Sequence, residues 1–249
     1  MERNYCKHFE VHYYEVNKYR EATPVSILNY LEEAAIAHSE DVGLGLDRLK
    51  SEGIGWVLNR WHLVMERYPV WGEQVKVETW PSRFERFYAT REFLLQDTVG
   101  NVLGKATSLW IFLSLEKKRP LRIPPEFAAA YGLDPVRAIE GEFAGFPALE
   151  LPESSREFNI RRSDIDTNQH VNNTKYVEWM LEAVPQAVYD NFVLNTLEVA
   201  YKKEIGYGLA VTSAVLTEAE SERDYRCGHR VFSRDGAELA AARTVWTKR

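Results

Sequence analysis

The stretch "SDIDTNQHVNN", residues 163–173, packs two Asp, three Asn, a Gln and a His into eleven positions without an aromatic residue. Directly after it, Tyr176, Val177, Met180, Leu181 and Val184 recur at helical spacing, so the polar run feeds the start of a helix. Asp166, Asn168 and His170 alternate at i, i+2 and i+4, which in an extended segment points all three to one side. An Asn there can position a carbonyl or a water, an imidazole can move a proton near neutral pH, and the Asp can orient either. The helix start adds unpaired N–H groups and the positive end of a dipole, suited to an oxygen that becomes negative during reaction. The set suits addition of water to a carbonyl. Bland readings of the same residues stand beside this one: Asn172 or Asn173 as an ordinary N-cap, Asp164 as a surface or turn residue, and His170 as structural. A metal shell drawn from this loop would be incomplete, so neither metal nor cofactor is expected.

The elements that must position the loop repeat along the chain. A strand-like start at Phe9–Val16 leads to a helix near Pro24 in which Val25, Leu28, Leu31, Ala35 and His38 share one stripe. Four strand candidates follow: "GWVLNRWHLVM", "EQVKVETWP", "FYATREFLLQ" and "KATSLWIFLSL". From Phe158 the order repeats as strand, polar loop, helix to Val184, then "LNTLEVAYKK", "LAVTSAVLTEA", "YRCGHRVFS" and "ELAAARTVWTK". An offset of 136 pairs Asn59 with Asn195, Gly72 with Gly208, Val75 with Val211, Gly100 with Gly236, Leu103 with Leu239, Ala106 with Ala242 and Trp110 with Trp246. Strand, helix, then four antiparallel strands, twice, is the order of an α+β tandem (double) hotdog, with an antiparallel sheet wrapped around a long helix in each half. The expected division is an N-terminal hotdog over 1–115, a linker rich in proline and charge over 116–155, and a C-terminal hotdog over 156–249.

Composition sets the outer limits. The 249 residues are 45% hydrophobic and 27% charged, as in ordinary globular proteins, with a net charge of −6 that argues against general nucleic-acid binding. No apolar run reaches the roughly 18 residues that cross a bilayer, and the N-terminus lacks signal- or transit-peptide character, so a cytoplasmic protein without membrane association is expected. Cys6 and Cys227 cannot form a disulfide framework.

"RRSDIDTNQHVNNTKYVEWMLEAVP" closely resembles the corresponding segment of acyl-ACP thioesterases, whose plant members carry a near-identical Asp-x-Asn-x-His-Val-Asn-Asn core. "WVLNRWHLVMERYPVWGEQVKVETWP" in the first half resembles the family as well. The resemblance implies hydrolysis of a fatty acyl thioester on acyl carrier protein. It implies a catalytic set of Asp166, Asn168, His170 and Glu204, the last from "LEVAYKKEIGYG". On its own Glu204, in a "KKE" run, reads as a solvated charge. Plant members place a cysteine after that acid, once considered a nucleophile; here Ile205 stands instead, which leaves a water mechanism with either Glu204 or His170 as base.

Asn172 and Asn173, at the helix start, are the expected substrate contacts. The first half carries Asn17, Tyr19 and Glu21 where the second has Asp166, Asn168 and His170, so it is expected to hold the acyl chain near Leu28, Leu31, Trp56 and Trp61. The expected partner is acyl carrier protein, an acidic protein met by basic residues such as Lys117, Lys118, Arg119 and Arg122 or Arg161 and Arg162; a monomer and a homodimer are both compatible with the pairing of the two halves. An acyl-CoA thioesterase, a hotdog hydratase and a non-catalytic acyl-binding module are the competing readings.

Overall fold

Thr23 holds the chain extended and its hydroxyl accepts the Ser26 amide at 3.1 Å, while Pro24 supplies the first helical φ; α1 (Pro24–Asp41) therefore starts where the sequence places it. The computed structural model describes residues 4–146 and 152–249; residues 1–3 and 147–151, the latter within the predicted linker, lie outside the described residues. The chain divides into two compact units, one running to Gly141 and the other comprising Glu142–Arg249 together with Arg60–His62.

In the first unit, α1 buries Ile27, Leu28, Leu31, Ala34, Ala35 and His38 and packs against β1 (Tyr5–Glu10) and β3 (Gln74–Glu85). Burying Leu28 and Leu31 completely contributes about 2 kcal/mol each. A short α2 (Leu46–Ser51) leads to β2 (Ile54–Met65), and β4 (Tyr88–Asp97) and β5 (Val102–Ser114) complete a sheet in the order β1-β3-β4-β5-β2.

The segment predicted as linker has structure of its own. Its β6 (Arg119–Pro120) pairs with β5, and α3 (Pro125–Tyr131) inserts Phe127 and Tyr131 among Leu44, Leu49 and Phe112. Farther on, the fully buried Glu92 carboxylate accepts the Ser82 hydroxyl at 2.6 Å, the Thr107 hydroxyl at 2.5 Å and the Ala138 amide at 3.1 Å, with Arg137 Nε at 2.8 Å. Partners on every side make a buried carboxylate tolerable, and here they tie residues 137 and 138 to the sheet.

The second unit repeats the plan with β7 (Ser154–Asn159), α4 (Asn173–Glu182), α5 (Gln186–Asn191), β8 (Phe192–Tyr201), β9 (Ala210–Ala219), β10 (Asp224–Ser233) and β11 (Glu238–Lys248). Its sheet order is β8-β11-β10-β9-β7, antiparallel throughout, with α4 against β7, β9 and β10. Each unit is thus an antiparallel sheet laid against a helix, and the α+β chain is a tandem of two hotdog units. The repeat extends to strained positions: Gly72 and Gly208 adopt φ of 80° and 83°, and Gly100 and Gly236 adopt 91° and 82°, a region side chains disfavour. The second helix is shorter than its sequence pattern. It ends at Glu182, because Pro185 has no N–H to donate and biases Val184 away from helical geometry.

Between α4 and the sheet, His229 is completely buried, with Nε2 2.9 Å from the Thr244 hydroxyl, and burial followed by the nearby Arg230 charge pushes its pKa down to about 3. The folded state thus holds fewer protons than the unfolded chain at acid pH. The stability this confers is complete above the unfolded value near 6.5 and is lost as pH falls from there toward 3. Urea unfolding at pH 7.5 and 5.5 is expected to show a loss of about 1.4 kcal/mol from this residue, smaller in His229→Gln. Equal slopes in the two proteins would contradict the assignment.

Candidate active site

The polar loop opens with a tight turn at Arg162–Asp164. Asp164 is fully buried rather than at the surface: its carboxylate accepts the Arg161 amide at 2.8 Å and Arg161 Nη2 at 2.9 Å, and its carbonyl accepts the Asn172 amide at 2.8 Å. The residue closes the loop onto the helix start.

From Asp166 to His170 the chain is not extended, as the alternating spacing suggested, but folded into a turn. The Asp166 amide donates to the His170 carbonyl at 2.8 Å and Gln169 adopts φ of 66°. The Asp166 carboxylate accepts the amides of Asn168 at 2.8 Å and His170 at 3.2 Å. Asp166 therefore shapes the backbone that carries the other two. Asn168 is exposed at the tip of the turn.

His170 and Glu204, 34 positions apart, meet with Nε2 and Oε2 at 3.2 Å, their side chains 31% and 45% exposed. Two contacts fix the approach. The Val171 amide donates to the carbonyl of Ile205, and the buried Tyr176 hydroxyl on α4 donates to the carbonyl of Lys203 at 3.4 Å. Burial raises the Tyr176 phenol above its usual range, so it remains a donor. Tyr176 went unnoticed in the sequence because it also fits the apolar stripe of the helix.

Asn172 is the N-cap of α4: its side-chain oxygen accepts the Thr174 amide at 2.9 Å and the Thr174 hydroxyl at 2.8 Å. With Lys175 N–H bonded to the Asn172 carbonyl, Asn173 is the first-turn amide that has no partner among the described residues. The helix start thus offers an oxyanion one donor rather than several. Among the described residues, no group of three or more His, Cys, Asp or Glu is placed to hold a metal ion. Ile205 is buried beside Glu204, and burial pushes the Cys227 thiol up to about 12, so neither position supplies a thiolate at neutral pH.

Of the residues expected to hold the acyl chain, Leu28, Leu31 and Trp61 are buried and Trp56 is half-buried. Leu28 and Leu31 are core residues of α1. Trp56 meets the Phe112 ring at a tilt, with centroids 4.9 Å apart, beside the cluster that α2 and α3 cover, and Trp61 belongs to the second unit.

The first unit copies the loop bond for bond. Asn17 replaces Asp166 and its side-chain oxygen accepts the amides of Tyr19 at 2.9 Å and Glu21 at 3.2 Å; the Asn17 amide donates to the Glu21 carbonyl at 2.8 Å, and Arg20 has φ of 66°. The side chains at the reacting positions differ: Glu21 stands for His170, Tyr19 for Asn168 and Tyr68 for Glu204.

Family models for the acyl-ACP thioesterase N-terminal and C-terminal domains match residues 2–131 and 150–248. A dodecanoyl-[acyl-carrier-protein] hydrolase of Cinnamomum camphora is 31% identical over 254 residues, which cover 96% of this chain and 66% of the plant protein. A palmitoyl-acyl carrier protein thioesterase of Gossypium hirsutum is 29% identical, covering 97% and 63%. The chain spans just under two thirds of the length of these relatives. The solved 12:0-ACP thioesterase of Umbellularia californica superposes with a TM-score of 0.90 at 28% identity over 99% of this chain and 94% of that one. An acyl-ACP thioesterase of Bacteroides thetaiotaomicron, at 23% identity and a TM-score of 0.85 over 98% of each chain, shares the fold.

Proposed function

Because the chain belongs to the acyl-ACP thioesterase family, we propose that it hydrolyses the thioester of fatty acyl-[acyl-carrier-protein], with His170 and Glu204 activating water. The observation that carries the reading is the 3.2 Å contact of these two residues beside the start of α4. Glu204 accepts the Nε2–H of His170, which leaves Nδ1 as the base. His170 takes a proton from water, and the resulting hydroxide attacks the thioester carbonyl. The negative oxygen of the tetrahedral intermediate lies against the Asn173 N–H. As the intermediate collapses the C–S bond breaks, and the imidazolium returns its proton to the departing sulfur. The products are a free fatty acid and the carrier thiol. Asn168, at the exposed tip of the turn, positions the thioester or the water. A cytoplasmic setting is part of the reading, although the plant relatives above are chloroplastic.

The test is thiol release from a panel of acyl-ACPs of increasing chain length against the matching acyl-CoAs. Faster turnover of acyl-ACP is the expected result and gives the preferred chain length at the same time. A preference for CoA would keep the chemistry and overturn the carrier. Bound acyl chains without turnover of either substrate would leave a binding module and sink the proposal.

A further inference from the structure

The two halves share the loop but surround it with different surfaces. Phe9 pairs with Val75 and Phe158 with Val211, so the loop repeats at an offset of 149 and the later strands at 136. By that register, Arg162 stands where the first unit has Tyr13, Tyr207 where it has Trp71, and Lys203 where it has Arg67. In the first unit the exposed Tyr13 meets the half-exposed Trp71 edge-on at 5.5 Å, so that surface is aromatic. In the second, the Arg162 guanidinium lies over the Tyr207 ring at 5.2 Å.

The counter-charges differ as well. Arg67 is neutralised by both oxygens of Glu73, at 2.8 and 2.7 Å, with Asp97 at 3.9 Å. The second unit has Leu209 in place of Glu73 and Ser233 in place of Asp97, which removes both acids from the neighbourhood of Lys203 and leaves Asp235 as an acid near it. Arg162 forms no ion pair among the described residues, whereas its neighbours Arg161 and Lys202 are paired, to Asp164 and Glu178 and to Glu238. Tyr207 and Leu209 beside these cations are 56% and 55% exposed.

We infer that Arg162 and Lys203, with the exposed Tyr207 and Leu209, form the docking surface for the acidic protein face of the carrier. The inference rests on the thioesterase reading above and identifies the partner of that same site. A chain of net charge −6 repels an acidic protein at long range, so a productive encounter needs cations whose charge is not already cancelled, placed at the site mouth. Arginine and tyrosine next to an exposed aliphatic residue match the composition of a protein interface, not of a small-anion site. The basic turn at Lys117–Arg119 belongs to the other unit.

Arg162→Glu and the Arg162→Glu/Lys203→Glu pair are compared with wild type on one acyl group attached to carrier protein, to CoA and to pantetheine. The double variant is expected to lose at least about tenfold in kcat/KM on acyl-ACP, mainly through KM and with a weaker dependence on salt. Acyl-pantetheine and acyl-CoA turn over as in wild type, and Lys117→Glu has no effect on any substrate. Unchanged kcat/KM on acyl-ACP overturns the inference. Equal losses on ACP and CoA also overturn it, by assigning the cations to the phosphate of the prosthetic arm. Loss on all three substrates overturns it by making the residues part of the catalytic apparatus. Turnover of acyl-pantetheine reports on the hydrolytic chemistry whichever way the carrier result falls.

Discussion

His170→Ala is expected to lower kcat on acyl-ACP by about 10³, close to 4 kcal/mol of transition-state stabilisation, and Glu204→Ala by a comparable factor. The two side chains touch at 3.2 Å across 34 residues of sequence, and both are partly exposed. An imidazole without the carboxylate loses the group that fixes its tautomer, and a carboxylate without the imidazole has nothing to orient. The double variant should therefore be about as slow as either single one, as groups acting as a unit are. Multiplicative losses near 10⁶ in the double variant would show that the residues act independently. A loss confined to Glu204→Ala would instead make the carboxylate the base.

Asp166 gives the second large effect and separates two roles for the same residue. Asp166→Ala removes the acceptor for two loop amides, releases the turn that carries Asn168 and His170, and is expected to lower kcat by about 10². Asp166→Asn is expected to remain within about fivefold of wild type, since Asn17 makes the same two bonds at nearly the same lengths in the first unit. An Asn variant as slow as the Ala variant would mean that the negative charge itself acts on His170 or the substrate.

Much of the fold was legible because strands and turns carry local signals. The eight strand candidates fall on β2–β5 and β8–β11, and the matched glycines mark the same left-handed turns in both halves. The short α3 was not: seven residues that open on the second of two prolines give too little periodicity, and the element is held by its contacts with Leu44, Leu49 and Phe112. Within the site, the position of His170 at a helix start could be read, but its extended neighbourhood could not. A single local hydrogen-bonding pattern, closed by Asp166 and Gln169, overrides the period-two spacing. The pairing with Glu204 is invisible locally because a "KKE" run looks like solvated charge wherever it occurs. The two loops align on Phe9 and Phe158, at a different offset from the strands. The first unit has 13 more residues between its loop and its second strand than the second has, mostly taken up by the longer α1, since α2 and α5 have six residues each; one offset therefore aligns the strands and another the loops.

Ile205 beside Glu204, together with the buried Cys227 held as a thiol, has a chemical consequence for the environment in which the site can work. An enzyme whose nucleophile is a thiolate shares its reactive atom with peroxide, with other thiols and with electrophiles, and its rate falls as that atom climbs to sulfenic and sulfinic acid. The groups gathered here are a carboxylate, an imidazole and amides, none of which stands on that ladder. In the proposed hydrolysis sulfur enters only with the substrate and leaves with the product, so the redox poise of the surroundings is expected to act on the carrier and not on the catalyst.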